Sequence, residues 1–276
     1  MNMKPVFKWV GGKTSSMDRL FPLFDKTKET YVEPFLGGGG SLLYVLSHVE
    51  ETNYKRFFVS DSCQRVIDAF LCIERHPQEL CDLLREYEER FNSSTKDENK
   101  EYYYNILRPS LETENDLVKK TAIFITLMKT CINGLYRVNR KGVFNAAVGS
   151  YKKIHFDYNN LMRVSKSLSR VAIMTCDYRD TINLIGRDSF VFIDPPYYGA
   201  TKEPYHDAWN KDTYVSELVD YMKKCHENGA SVGSTNYVDF LQFMPSEFES
   251  IDYETTVKFQ NNSGKREVYM QNFLHK

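Results

Sequence analysis

Short runs of apolar, β-branched and aromatic residues alternate with amphipathic stretches along this chain. The runs are Tyr31–Phe35, Arg56–Ser60, Val171–Thr175, Ser189–Ile193 and Ala230–Ser234, and each reads as a strand that ends near an acid or a glycine. Helical patterns lie between several of them, at Ser41–His48, Tyr178–Ile185 and Asp212–Glu227. In the last, Val215, Leu218, Val219 and Met222 share one face. Strands alternating with helices predict an α/β fold with a parallel, doubly wound, Rossmann-like sheet that binds ligands at its carboxyl edge.

The alternation breaks between about Cys63 and Phe156. Val66–Ile73, Gln78–Phe91, Glu101–Leu107 and Asp116–Met128 are helical in pattern, and a polar, glycine-punctuated piece from Asn133 to Lys153 reads as a hairpin or irregular loop. The chain is thus expected to divide into a sheet domain, residues 1–62 and 156–276, and a helical insert, residues 63–155, with a hairpin at about 131–153. Near the C-terminus, Thr255–Gln260 and Glu267–Phe273 flank Asn261-Asn262-Ser263-Gly264, a second hairpin signal.

With 42% apolar and 26% charged residues, the composition excludes wholesale disorder. No apolar stretch reaches the ~18 residues of a membrane span, and the N-terminal region lacks the apolar core of a signal peptide. The six cysteines show no paired metal spacing and read as free thiols of a cytoplasmic protein, with no metal. The net charge of −1 hides an asymmetry. From Glu74 to Asp116 there are 12 acids against 6 bases, whereas Leu117 to Arg170 carries 11 bases and one acid, Asp157. A basic block of that kind is the footprint of a polyanionic partner, although Arg163–Arg170 fits a solvated helix face better.

Asp194-Pro195-Pro196-Tyr197 directly follows the run Ser189–Ile193. An exocyclic amino nitrogen is a poor nucleophile because its lone pair is delocalised into the ring. The Asp194 carboxylate and the Pro195 carbonyl can each accept one of its N–H groups and aim the lone pair at an incoming methyl, a positioning and electrostatic effect. Pro196 stiffens the turn, and Tyr197 offers a flat face on which a base can stack. A plain strand-end turn is the bland alternative.

After the first strand comes Gly37-Gly38-Gly39-Gly40-Ser41, where glycines allow close backbone approach to a ligand. Leu42 stands where a dinucleotide fingerprint needs Gly or Ala. Gly12-Lys13-Thr14 imitates the end of a phosphate loop, but Phe7 occupies its first glycine position, which excludes nucleotide triphosphate binding. Asp61 closes the second strand about twenty residues on, where an acid takes ribose hydroxyls; a helix N-cap is its other reading. Together these features indicate a nucleoside-containing cofactor. The Asp194 motif selects S-adenosylmethionine over a nicotinamide, because hydride transfer has no use for two acceptors around an amine.

Phe7-Lys8-Trp9-Val10-Gly11-Gly12-Lys13, Glu33-Pro34-Phe35-Leu36-Gly37-Gly38-Gly39 and Asp194–Tyr197, in that order, resemble the DNA adenine-N6 methyltransferases of the bacterial and phage Dam type. The resemblance continues through Asn133–Asn139, Gly142–Asn145 and Gly149–Lys153. It implies a class I methyltransferase sheet with a helical DNA-binding insert, and methyl transfer from S-adenosylmethionine to a flipped adenine in duplex DNA, with GATC as the target. By resemblance Trp9, Lys13, Glu33, Phe35, Gly37, Gly39, Asp61, Asp177 and Asp194 belong to the cofactor site, and Asp194, Pro195 and Tyr197 to catalysis. Lys8, Asn133, Leu135, Arg137, Arg140 and Lys152 contact DNA. Ile132 stands where some relatives carry an aromatic that fills the opened duplex.

An amino methyltransferase acting on RNA or on a protein glutamine needs the same two acceptors. The basic insert with its hairpin favours duplex DNA. A catalytically silent DNA-binding protein on this fold is a third reading, opposed by the intact Asp194, Tyr197 and Asp61. The protein is expected to be a monomer when free.

Overall fold

The computed structural model describes residues 2–199, 211–252 and 266–273. The chain begins with a short helix α1 (Met17–Leu20) and a 3₁₀ turn, then β1 (Thr30–Glu33), α2 (Gly40–Ser47) and β2 (Arg56–Asp61). Helices α3 (Gln64–Arg75), α4 (Pro77–Ser93), α5 (Lys96–Tyr102), α6 (Arg108–Thr113) and α7 (Leu117–Thr130) follow. After a hairpin come α8 (Tyr158–Leu168), β3 (Val171–Thr175), β4 (Ser189–Ile193), α9 (Lys211–Glu227), β5 (Ser231–Tyr237), β6 (Glu249–Asp252) and β7 (Glu267–Gln271).

The seven strands among the described residues form one sheet in the order β3-β2-β1-β4-β5-β7-β6. The first five are parallel, and β7 runs antiparallel between β5 and β6. This is the Rossmann-like methyltransferase sheet that the motifs implied. β1 pairs with β2 on one side and with β4 on the other. The winding reverses there, leaving a crevice at the carboxyl ends of β1 and β4.

Both faces are covered, so strand residues alternate between two cores. On β4, Phe190 and Phe192 join the core that contains Tyr31, Phe57 and the helices α1 to α8. Val191 and Ile193 join the other, with Leu218, Met222 and Cys225 of α9. The apolar face foreseen on α9 is the buried one: Val215, Leu218 and Met222 are buried, and Val219 packs at its edge.

Each predicted strand and helix appears within a few residues of its expected limits, with three differences. Tyr178–Leu184 is a 3₁₀ helix, capped by the Asp177 side chain. The pattern at Glu101–Leu107 is one part of a longer run, in which α5 passes through a π-helical turn, Tyr103–Leu107, into α6. At the C-terminus, Thr255–Gln260 and the turn after it lie outside the described residues. The Glu267 arm is β7, and it pairs with β6 and β5. The described arm of that hairpin signal is thus part of the main sheet.

Helix α7 is buried on nearly every side. Val118, Ala122, Ile123, Phe124, Ile125, Leu127 and Met128 are all buried, since the helix passes through the middle of the insert against α3, α4 and α6. A helix enclosed on every side has no polar stripe. Cys72 and Cys81 are buried on α3 and α4.

Phe24 sits where the N-terminal segment meets the sheet, with ring centroids 4.7 Å from Phe190, 4.8 Å from Phe192 and 6.5 Å from Tyr269. Phe24→Ala leaves a cavity between the N-terminal segment and the sheet, and is expected to destabilise the protein by ~3–5 kcal/mol in urea unfolding.

Candidate active site

The carboxyl ends of β1, β2 and β4 converge on the crevice, and each delivers an acid. Glu33 ends β1 and Asp61 ends β2, while Asp194 follows β4. Glu33 is 1% exposed, and the Tyr31 hydroxyl donates to its Oε2 at 2.8 Å. Burial pushes its carboxyl up to about 8; hydrogen bonds from Tyr31 and Ser41 oppose that rise, and the charges of Asp194 and Asp61 add to it. Burial also raises Asp61, against two backbone N–H donors that stabilise its charge.

Those two donors define the Asp61 position. Gly37 N–H donates to Oδ2 at 2.9 Å, and Cys63 N–H to Oδ1 at 2.8 Å. The carboxylate therefore ties the glycine loop to the start of α3. The N-cap position itself is Cys63, which offers no side-chain cap bond. Each Asp61 oxygen keeps a second lone pair for a ligand hydroxyl.

The glycine loop is shaped by Trp9. A Cβ on Gly37 would lie 2.8 Å from Trp9 Cδ1, and one on Gly38 2.8 Å from Trp9 Cβ. Gly37 and Gly39 also have φ of +49° and +70°, where a side chain is strained. Lys13 lies beside this loop, since a Cβ on Gly40 would meet the Lys13 backbone N at 3.5 Å.

Lys13 is 5% exposed. Its ammonium donates to the Gly11 carbonyl at 3.0 Å, pairs with Asp194 Oδ1 at 3.0 Å, and lies 4.7 Å from the centre of the Tyr197 ring. The structure thus joins the first and last motifs through one side chain. Thr235 Oγ1 on β5 donates to the same Asp194 oxygen at 2.6 Å. Tyr197 meets Tyr237 edge-on at 4.8 Å, and its hydroxyl reaches Glu267 Oε2 at 3.4 Å. Pro195 is buried, and the Pro196 carbonyl accepts from the Tyr214 hydroxyl at 3.1 Å.

On the β3 side, Asp177 lies two residues past the strand. Burial pushes its carboxyl up, but bonds from Arg179 Nε (2.7 Å) and a guanidinium NH2 (3.0 Å) outweigh that and hold it below the usual range. Phe35 stacks on Tyr178 at 5.0 Å, closing that flank.

The expected hairpin begins at Cys131 and is pinned by bridges Cys131↔Val148 and Val138↔Phe144. Asn133 adopts φ +56° at its entry. A Cβ on Gly134 would lie 2.5 Å from Lys8 Cβ, so Lys8 crosses directly over this turn, its ammonium 5.1 Å from the centre of the Tyr151 ring. Arg137 is exposed, but its guanidinium is aimed by Asn145, through Nε to Oδ1 at 2.8 Å and NH2 to the carbonyl at 2.9 Å. Arg140 and Lys152 are exposed, and Leu135 is half-buried. Ile132 stands out at 46% exposure.

Tyr136 joins the hairpin to the glycine loop. Its ring stacks on Trp9 at 5.2 Å, and its hydroxyl accepts from Arg65 at 2.9 Å. Arg65 also pairs with Glu112, whose Oε1 accepts from the Phe144 N–H. Sequence reasoning gave no role to Thr235, Tyr237 or Glu267, and it carried Tyr136 and Asn145 only as members of the runs Asn133–Asn139 and Gly142–Asn145. Thr235 and Tyr237 follow the predicted strand Ala230–Ser234 at its carboxyl end, a position that signals a site. Glu267 opens the run Glu267–Phe273, and nothing local marks it as part of a site.

The D12 class N6 adenine-specific DNA methyltransferase family matches residues 9–259. The chain belongs to this family. Relatives include the Type II methyltransferase M.MjaIII of Methanocaldococcus jannaschii, 35% identical over 256 residues that make up 87% of each chain. The Type II methyltransferase M.CviBI of Paramecium bursaria Chlorella virus NC1A is 26% identical over 95% of this chain and 94% of its own. A DNA adenine methylase of Haemophilus influenzae is 26% identical over 70% of this chain and 64% of its own. The protein is thus an adenine-specific DNA methyltransferase. No helix among the described residues is long and apolar enough to cross a membrane.

The methyltransferase carries a pH signature in Glu33. A carboxyl raised from an ordinary 4.5 to about 8 binds its proton more tightly in the folded state, so its contribution to stability is complete below pH 4.5 and is lost as pH rises through 8. Wild-type Tm should fall by a few degrees between pH 5.5 and 8.5, and Glu33→Gln should flatten that decline when both are followed by calorimetry.

Proposed function

We propose that the enzyme transfers a methyl group from S-adenosylmethionine to N6 of an adenine swung out of duplex DNA, within GATC. One observation carries this reading: the Asp194 carboxylate stands at the sheet's switch point, 3.0 Å from Lys13 Nζ, with the Tyr197 ring beside it. The choice of GATC is supported by the resemblance of the Asn133–Lys153 segment.

The residues fit the cofactor. Glu33 and Asp61 are buried acids whose charged forms would gain from a cationic ligand. The glycine loop has no room for side chains against Trp9, which leaves backbone as the wall of the crevice. Trp9 and Lys13 would contact the cofactor, Glu33, Phe35, Gly37 and Gly39 would hold its amino-acid end, Asp61 would take the ribose, and Asp177 would lie beside the base. S-adenosylmethionine, when bound, supplies an electrophilic methyl on sulfur. Asp194 and the Pro195 carbonyl accept the two N6 hydrogens and orient the lone pair, and Tyr197 stacks on the extruded purine. Asp194 need not be a strong base, because the amine's proton becomes acidic once the nitrogen has gained a fourth substituent.

Residues 63–155 serve as the target-recognition insert. Lys8, Asn133, Leu135 and Arg137 read bases from the hairpin and the turn beneath it, while Arg140 and Lys152 hold the backbone. Asn145 fixes the Arg137 fork, as bidentate recognition of a guanine edge requires.

Two measurements test this. Asp194→Ala should abolish methylation while DNA binding stays measurable by gel shift; near-normal turnover would overturn the assignment. Arg137→Ala should cost ~1–3 kcal/mol and relax preference at one position of the site, read by long-read sequencing of DNA from cells expressing the variant. A uniform loss across sequences with a shallower salt slope would make it a phosphate contact.

A further inference from the structure

Strand β5 extends past its pairing with β4, whose register ends at Ile193↔Ser234. The residues that follow this last pair are Asp194 and Thr235. Thr235 Oγ1 donates to Asp194 Oδ1 at 2.6 Å, and Thr235 is fully buried, so water does not compete for that bond. Tyr237, two residues on and therefore on the same face of the strand, meets the Tyr197 ring. Between them, Asn236 Oδ1 accepts the Tyr198 N–H at 3.1 Å. Three consecutive residues of one strand thus hold the loop that follows β4.

Both contacts that the structure gives Asp194 fall on one oxygen, since Lys13 Nζ also lies on Oδ1. The torsion that turns a carboxylate about its own axis is broad and roughly two-fold, and a donor on one oxygen narrows it. Lys13 is a long, flexible donor within the region assigned to the cofactor. Thr235 is β-branched and stiff, and its strand is still paired with β7 at that position.

We propose that Thr235 is a positioning residue for the methyl transfer: by occupying Oδ1 it fixes the plane of the Asp194 carboxylate and leaves Oδ2 to accept the hydrogen of the target amine. This rests on the function proposed above. A carboxylate free to turn would still attract the amine, but would aim its lone pair poorly, so the loss falls on turnover more than on binding.

The test compares Thr235→Val, which keeps the shape and removes the hydroxyl, with Thr235→Ser, which keeps the hydroxyl. Steady-state methylation of plasmid DNA is measured together with Tm, and Thr235→Ala provides a second hydroxyl-free variant. The valine variant should lose kcat roughly 10- to 100-fold, the span of one hydrogen bond to a charged group. Its KM for DNA and for S-adenosylmethionine should stay within about twofold, and the serine variant should keep kcat within about threefold of wild type. Near-wild-type kcat in Thr235→Val would overturn the inference. So would a serine variant as impaired as the valine one, or a loss carried by KM with a parallel fall in Tm. Wild-type protein that methylates no adenine would overturn the function proposed above, and this inference with it.

Discussion

Gathering carboxyl groups at one end of a parallel sheet is the constraint on which this molecule depends. Glu33, Asp61 and Asp194 lie close enough for each of the other two to act on Glu33, in a place where water screens little. Charges so confined are costly unless they are paired or hydrogen-bonded. The chain answers each one differently. Asp61 takes two backbone N–H groups, Asp194 takes an ammonium and a hydroxyl, and Glu33 takes a phenol while favouring its proton. A pocket built this way accepts a cation more readily than an anion. That preference agrees with a sulfonium donor and with the exclusion of nucleotide triphosphates from sequence.

The fold was legible because its signals are local. Five strand-like runs, each bounded by glycine or an acid, announce a parallel sheet, and α9 shows its buried face in a spacing of three and four. The Asp194 motif and the glycine loop lie at strand ends, where ligands bind, so their placement followed from the strands themselves. What stayed hidden is long-range. Nothing near Thr235 in sequence says that it lies beside Asp194; that follows from the β4–β5 register. Glu267 reaches Tyr197 only because β7 returns antiparallel beside β5. The π-helical turn at Tyr103–Leu107 left no mark that periodicity could detect.

The contact between Trp9 and Tyr136 gives the two halves of the molecule a shared wall. The indole packs on Gly37 and Gly38 on one side and stacks on the hairpin tyrosine on the other. The Arg65–Glu112 pair then fastens the same tyrosine to α3, α6 and the hairpin strand at Phe144. The crevice and the basic hairpin therefore do not sit on separate bodies. One continuous apolar core runs from the sheet through α7 to Phe144.

The seam between β1 and β4 joins distant parts of the chain. Thr30 pairs with Arg56 on one side and with Ser189 on the other, so one flank of the crevice closes a short loop and the other closes a very long one. Loop closure over that span is entropically slow. The glycine loop and Asp61 lie within residues 37–61, whereas Asp194 follows the whole of residues 63–155. During biosynthesis, the glycine loop and Asp61 therefore emerge well before Asp177 and Asp194, the two acids that complete the crevice.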